Sequence, residues 1–302
     1  MAANELAVSL GTAREPSRAS RWRRWLVSAA RRQPLAAIGA AIILITIAVA
    51  FLAPLLAPYP YDAVAVGDPL SGPSADNFMG TDQLGRDLMS RIIYGARVSM
   101  LVGFSVLVIS TVLAFAIGVT SGFVGGFFDL VLQRIIDAVQ AMPGIILALA
   151  LVAFVGRDLI NVIFVVGIIL ISGQARVMRS AAIAVKEMPF MEAARSMGAT
   201  NVRIFFQHLF PNVVSVAIIY ASLVLGQAII IEGSLSFLGY GVQPPTPTWG
   251  GMLGVEGRRS LLLNPWMVVF PATALSLVVL GANMLGDGLR DLLDPRLRRG
   301  GH

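Results

Sequence analysis

The stretch VSMLVGFSVLVISTVLAFAIGVTSG, residues 98–122, contains no charged side chain. An α-helix rises about 1.5 Å per residue, so about 20 apolar residues cross the hydrocarbon core of a bilayer, which is about 30 Å thick. The stretch exceeds that length and therefore predicts a membrane-spanning helix.

Similar apolar runs recur along the chain. They cover residues 35–57, 136–156, 159–177, 212–231 and 266–286, which makes six runs in all. The 302 residues are 56% hydrophobic and 13% charged, with a mean hydropathy of +0.78. Such a composition is not that of a soluble domain. The sequence therefore predicts an all-α membrane protein with six transmembrane helices.

The charged residues predict the orientation of these helices. Arginine is frequent in residues 1–33, in residues 176–203 and after residue 286, whereas the loop at residues 58–97 has more acidic than basic side chains. Loops rich in Lys and Arg stay in the cytoplasm, so both termini are expected there. The net charge of +6 reflects this topology, and we do not expect nucleic-acid binding.

The same pattern divides the chain into four segments. Residues 1–33 form a basic cytoplasmic segment, and residues 34–97 form the first span and an external loop with an amphipathic helix. Residues 98–286 form the transmembrane core, and residues 287–302 form a cytoplasmic tail. Within the first segment, tryptophans at helical spacing among the arginines of residues 21–32 favour a helix in the membrane interface, or a loose basic anchor.

Several classes of activity lack their sequence signatures. The chain has no cysteine and only two histidines, so we expect no metal or cofactor site in it. Its one lysine, Lys186, does not lie in a G-x-x-x-x-G-K-[ST] loop. Charged side chains lie in loops or at span edges, unlike those of ion-driven carriers. We therefore expect a non-enzymatic protein, and if it moves solute uphill, the energy must come from another polypeptide.

The segment EAARSMGATNVRIFFQHLFPN, residues 192–212, interrupts the apolar runs on the predicted cytoplasmic side. Residues 191–197 predict a short helix, and Gly198 follows it in the position of a glycine C-cap. Thr200 or Asn201 can cap a second helix. That second helix is expected to lead into the fifth span.

Two features of this segment concern its packing. Pro211 predicts a kink where the second helix enters the fifth span. Isolated helices of fewer than about 12 residues are marginal in water, so the first helix must dock on something. Ala193 and Ala194 would let the backbone of a second polypeptide come close. The alternative is a helical hairpin packed on its own subunit.

The segment resembles the EAA loop of ABC-importer membrane subunits, in which Glu-Ala-Ala is followed by a glycine and a proline-terminated end. Here the end is His-Leu-Phe-Pro, with Phe210 where the peptide-importer branch usually has leucine. In that family the loop, residues 188–212 here, is a coupling helix that fits a groove of the ATP-hydrolysing subunit. The resemblance implies these docking residues: Glu192, Ala193, Ala194, Arg195, Met197, Gly198 and Ala199.

Further motifs resemble the C-type subunits of dipeptide, oligopeptide and nickel permeases. They lie at residues 80–99, 232–253, 264–271 and 283–298, and the resemblance covers residues 34 to 299. It implies the type I ABC-importer permease fold in a bacterial inner membrane. Residues in these motifs or at helix breaks are candidates for structural or gating roles: Gly80, Asp82, Arg86, Asp87, Pro143, Pro211, Trp249, Asp287 and Arg290.

The motif at residues 80–99 also has a direct physical interpretation. Thr81 or Asp82 can cap an amphipathic helix on the outer membrane surface, with Leu84, Leu88 and Ile92 on one face. Asp87 and Arg91 are spaced for an i,i+4 ion pair. Such a helix either braces the bundle or contacts solute.

The loop at residues 243–251 is too rich in proline and glycine for a lipid-exposed backbone, so it is expected at the outer mouth. There it forms a gate, seats a solute-delivering partner or acts as a rigid connector. Polar side chains within the spans line a pathway or join helices: Gln140, Asn161, Gln174, Gln227 and Asn283.

The resemblance implies a permease subunit of an ATP-driven importer of peptides. Its partners would be a homologous second permease subunit, two cytoplasmic ATP-binding subunits that hold ATP and Mg, and an external solute-binding protein. Glutathione or nickel is the alternative cargo. Two other classes stay open on the residues alone, a self-contained channel or secondary carrier and a membrane receptor or assembly factor.

Overall fold

The computed structural model describes residues 33–293, and the predicted interfacial helix at residues 21–32 lies outside them. The helices in chain order are α1 (Pro34–Phe51), α2 (Ala53–Leu56), α3 (Leu88–Val124), α4 (Gly126–Gln140), α5 (Gly144–Val155), α6 (Leu159–Lys186), α7 (Pro189–Ser196), α8 (Asn201–Ile204), α9 (Phe210–Phe237), α10 (Trp249–Leu253), α11 (Val255–Ser260) and α12 (Trp266–Leu293). A π-helical turn at Phe205–Leu209 joins α8 to α9.

Five helices are long and apolar enough to cross a membrane: α1, α3, α6, the continuous helix from α8 to α9, and α12. α4 and α5 pass the same test only as a pair and are bent by 90° at the break between them, which makes them a broken sixth span or a re-entrant loop. In α6 half of the most apolar window is buried (50%), compared with 17% in α1. The all-α membrane fold is confirmed, with α6 near its centre and α1 at its periphery.

The third predicted span, residues 136–156, is wrong in its boundaries. α4 already begins at Gly126, and α5 has only 12 residues, which is about 18 Å of helix. Pro143 is the N-cap residue of α5 and lies at the bend, which confirms it as a helix-breaking residue. Proline cannot donate the hydrogen bond that would continue α4, so the chain changes direction there.

Small residues let α3 and α6 approach closely. Gly118 and Gly122 lie one turn apart on α3, and a Cβ atom at Gly118 would collide with the carbonyl oxygen of Ala175. This spacing of small residues is typical of packed transmembrane helices. The buried Gln174 of α6 donates to the hydroxyl of Ser110 on α3 at 2.9 Å. Gln174 therefore joins two helices.

The external loop does not contain the predicted surface helix. α3 begins at Leu88, and Asp87 is its N-cap, whose carboxylate accepts a hydrogen bond at 2.7 Å from the amide three residues later. A helix start at Thr81 or Asp82 is therefore wrong. Leu84, predicted on the apolar face of that helix, lies before α3 and is 53% exposed.

Asp82 stabilises a buried turn instead of capping a helix. Its carboxylate accepts a hydrogen bond from the amide of Arg86 at 3.0 Å and pairs with the guanidinium of Arg86 at 2.5 Å. The same carboxylate lies 3.5 Å from Nε of Arg91, the residue predicted to pair with Asp87. These three side chains are only 3–7% exposed, so this part of the loop braces the outer end of α3.

One long helix connects the cytoplasmic segment at residues 201–209 to the outer side of the membrane. It runs from Asn201 to Phe237 over 37 residues, which is about 55 Å. Where the sequence predicts a kink at Pro211, the structure has the π-helical turn of five residues, and the helix continues. A π turn shifts the hydrogen-bond pattern by one residue. The helix can therefore continue past Pro211, whose nitrogen has no hydrogen to donate.

The outer ends of the helices are tied together by a tryptophan and an asparagine. Trp249 is 2% exposed, and its indole N–H donates to the carbonyl of Ile92 at 3.1 Å. Gly95 leaves room for this ring, because a Cβ atom there would lie 3.1 Å from it. The side-chain amide of Asn264 donates to the backbone carbonyl of Thr81 at 3.0 Å. The structure therefore gives Trp249 a packing role, and a gating role stays a prediction.

Candidate partner-docking site

Residues 188–212, here called the cytoplasmic elbow, begin with the short helix α7. Proline is favoured in the first turn of a helix, and Pro189 occupies that position. Met191 and Ala194 face inward, with 0% and 2% of their surface exposed. The prediction that Ala193 and Ala194 both face a partner is therefore corrected, since only Ala193 is exposed. Ala194 instead lets α7 pack closely on its own subunit.

The turn after α7 depends on a glycine. Gly198 has a φ of +80°, a conformation that residues with a side chain rarely adopt. Its amide donates to the carbonyl of Arg195 at 2.9 Å, and the amide of Ala199 donates to that of Ala194 at 3.1 Å. This pair of bonds is the Schellman motif. The predicted C-cap is confirmed, and Thr200 then caps α8 through a bond to the amide of Arg203.

The outer face of the elbow is exposed and contains large apolar side chains. Met197 is 81% exposed, Val202 68% and Phe206 62%. Glu192, Ala193, Arg195 and Gly198 are also exposed, so with Met197 five of the seven residues implied by the EAA resemblance are accessible to a partner. Val202 and Phe206 add to these exposed residues, and neither was among the predicted docking residues. The sequence feature that could have identified them is that they are large apolar residues outside any predicted span.

The inner face of the elbow is anchored to the transmembrane bundle. Its buried apolar residues, Met191, Ala194, Ile204 and Leu209, form one cluster with the cytoplasmic ends of α3, α6 and α9. Phe205 of the π turn packs edge to face on Phe123 of α3, with ring centroids 5.4 Å apart. The elbow is therefore a packed part of the bundle, as the helical-hairpin alternative predicts, and it still presents an open outer face.

Beside the elbow, a polar network connects α3, α4 and α6. The guanidinium of Arg179 donates to both carboxylate oxygens of Asp129, at 2.6 and 2.5 Å. Asp129 also accepts from the hydroxyl of Ser121 at 2.5 Å. The ammonium of Lys186 donates to the carbonyl of Phe123 at 2.8 Å. Sequence reasoning missed this network, because its partners are far apart in the chain.

The remaining predicted residues lie elsewhere. Asp82, Arg86 and Asp87 come together in the outer loop, at the opposite end of the bundle from the elbow. Gly80 adjoins them with a φ of +83°. Asp287 and Arg290 are exposed near the end of α12, and Pro143 lies at the bend before α5. Among residues 33–293, no three His, Cys, Asp or Glu side chains come together in a way that could hold a metal ion.

This architecture, with its five or six membrane-crossing segments and the cytoplasmic elbow, is that of a multi-pass membrane protein. Residues 114–299 match the family model of the binding-protein-dependent transport system inner membrane component. Residues 20–73 match the N-terminal transmembrane domain of oligopeptide transport permease C. The chain belongs to this family and is an ABC-importer permease subunit.

Two relatives cover most of the chain. The glutathione transport system permease protein GsiD of Pectobacterium atrosepticum is 41% identical over 278 residues, which is 92% of this chain and 90% of the relative. The dipeptide transport system permease protein DppC of Alkalihalophilus pseudofirmus is 40% identical over 268 residues, with 89% and 88% covered. The match extends across the elbow, the outer loop and the spans.

Proposed function

We propose that this chain forms half of the translocation pathway of a peptide importer, and that the cytoplasmic elbow couples the pathway to ATP-hydrolysing subunits. The observation that carries the proposal is the division of the elbow into two faces. Its inner face is packed into the bundle, whereas Met197, Val202 and Phe206 are exposed to water. Exposed apolar patches of this kind mark sites of protein–protein interaction.

The division into two faces has a mechanical consequence. A subunit that binds the outer face pushes on a helix whose inner face contacts three spans. Close-packed contacts transmit such a displacement because protein interiors have few voids. The helix from Asn201 to Phe237 begins in the elbow and reaches the outer side. Movement of the docked subunits would therefore reach both ends of the pathway.

The partners in this proposal are those that the family resemblance implies. A homologous second permease subunit encloses the pathway with this chain, and an external solute-binding protein delivers cargo. Two cytoplasmic subunits bind ATP and Mg, and the chain itself is not catalytic. The relatives are named for glutathione and dipeptide transport, and both cargoes are short peptides. We infer a peptide cargo, with nickel as the alternative from the wider family.

The elbow can be tested through its glycine turn. Gly198→Val places a β-branched residue at a φ of +80°, where such side chains are strained. The variant is expected to insert into the membrane and to lose co-purification with the ATPase subunits. Gly239→Val is the matched control, because Gly239 has a φ of +86° and open space around it at the outer end of α9. Normal docking and coupling by Gly198→Val would contradict the proposal.

A self-contained channel or carrier is distinguished by reconstitution. The purified chain in liposomes is expected to move no peptide under a gradient, and transport is expected only when the second permease subunit, the solute-binding protein, the ATPase subunits and ATP are all present. Gradient-driven uptake by the chain alone would show that it needs no external motor.

A further inference from the structure

A groove lies between α1 and α3 near the outer side of the membrane. Its volume is about 530 Å³, and the residues that line it are Ile47, Ala50, Phe51, Arg97, Met100, Leu101 and Phe104. Arg97 is the one charged residue among these seven. The groove is thus an apolar surface cleft with one positively charged side chain.

Arg97 differs from the other arginines of the outer loop region. Arg86 and Arg91 are buried around Asp82. The side chain of Arg97 is exposed and has no ion pair or hydrogen bond to another side chain in residues 33–293. A charged group beside apolar walls is stabilised by water or by a counter-charge, and an anionic group from outside the bundle would supply the counter-charge.

The depth of Arg97 identifies where that partner lies. Tyr94 is one helical turn nearer the outer end of α3, and its ring packs 5.0 Å from that of Tyr61. Tyrosine is enriched at the membrane–water interface. In the other direction along α3, Leu101 and Phe104 follow on the face of Arg97 and lead towards the membrane centre. The cation is therefore level with lipid headgroups, and the apolar walls are level with acyl chains.

We propose that this groove binds one anionic phospholipid of the outer leaflet. The Arg97 guanidinium donates to the lipid phosphate, a bidentate geometry that arginine favours. One acyl chain lies along Phe51, Leu101 and Phe104. The lipid then links α1, the least buried span, to α3.

The first test is a lipid titration followed by native mass spectrometry. The full-length chain is purified with its associated subunits and titrated with phosphatidylglycerol. Arg97→Gln removes a charge-assisted hydrogen bond and should weaken binding about tenfold, whereas Arg97→Lys, which keeps the charge and loses the bidentate geometry, should weaken it less. Leu101→Trp fills the groove and should weaken binding with Arg97 intact. Glycerol phosphate alone should not compete, because it lacks the acyl chain.

Arg157→Gln is the matched control. Arg157 is exposed on the same side of the membrane and donates to the carbonyl of Gly239, so its removal changes the charge without touching the groove. Equal phosphatidylglycerol binding by the native chain, Arg97→Gln and Leu101→Trp would overturn the proposal. So would equal binding of phosphatidylcholine, in which the choline cation offsets the charge of the phosphate that Arg97 binds.

The second test identifies the occupant in the membrane. A photoreactive amino acid at position 101 is expected to form adducts with lipid. A cross-link to a protein subunit would show that a polypeptide covers the groove, and the proposal would then be wrong. This measurement does not depend on the function proposed for the elbow.

Discussion

Met191→Ala is expected to release the cytoplasmic elbow from the bundle while the spans stay folded. The Met191 side chain is fully buried, in a cluster with Ala194, Ile204 and Leu209. Replacing a buried methionine by alanine costs about 2–5 kcal/mol. α7 has only eight residues, so it has little stability of its own with which to offset this loss.

The expected effect can be measured as hydrogen exchange of the amides in residues 189–199. A loss of about 2 kcal/mol corresponds to roughly 30-fold faster exchange through local opening. Met197→Ala removes the same side chain from the outer face, where it is 81% exposed. That change should alter local stability by no more than about 0.5 kcal/mol, or roughly twofold in exchange.

The two variants separate anchoring from docking. Met191→Ala should accelerate exchange and weaken coupling, whereas Met197→Ala should keep exchange within about twofold of the native rate and weaken ATPase binding. Equal exchange in Met191→Ala and the native protein would refute the division of the elbow into a packed and an open face. Unchanged exchange in residues 266–291 of both variants controls for damage to the bundle.

Three further predictions concern helix contacts and can be checked by thermal unfolding in detergent. Gly118→Ala places a Cβ atom against the backbone of α6 and should destabilise the protein by about 1–3 kcal/mol, whereas Gly167→Ala, with ordinary space around it, should not. Asp129→Asn breaks a largely buried ion pair and should cost about 1–3 kcal/mol; Asp137→Asn, in a pair about half exposed, should cost less than about 1 kcal/mol. Glu232 is 1% exposed and accepts a hydrogen bond at 2.7 Å from a serine hydroxyl, so Glu232→Leu should cost about 1–3 kcal/mol more than Glu232→Gln. Equal stability within any of these pairs would refute the corresponding contact.

The number and class of the helices were predictable because apolar length is a local property. The residues at which the helices begin and end were less predictable. α3 extends to Leu88, well before the apolar run, because Arg91 is neutralised by Asp82 in the preceding loop. The bend at Pro143 was predictable, but the direction of α4 depends on Asp129 and Asp137 pairing with arginines of α6. Such long-range pairs leave no periodic signal in the sequence.

The elbow shows the same limit. The turn at Gly198 needs a positive φ, which glycine adopts readily, so the sequence predicts it. Which alanine faces the bundle depends on the packing of α7 against α3 and α6, and the prediction for Ala194 was therefore wrong. Phe206 lies in the π turn and is 62% exposed, whereas its neighbour Phe205 packs on Phe123 of α3. A π turn is not predictable from spacing.

The most direct test of the coupling role uses single cysteines, because the chain has none of its own. Met197→Cys and Ala193→Cys place a thiol on the outer face of the elbow, and Leu262→Cys places one at an exposed position before α12 on the opposite side. With a short thiol–amine cross-linker in native membranes, the two elbow variants are predicted to form adducts with an ATPase subunit, and Leu262→Cys is predicted to form none. Absence of such adducts from both elbow positions in an assembled, active transporter would contradict the account.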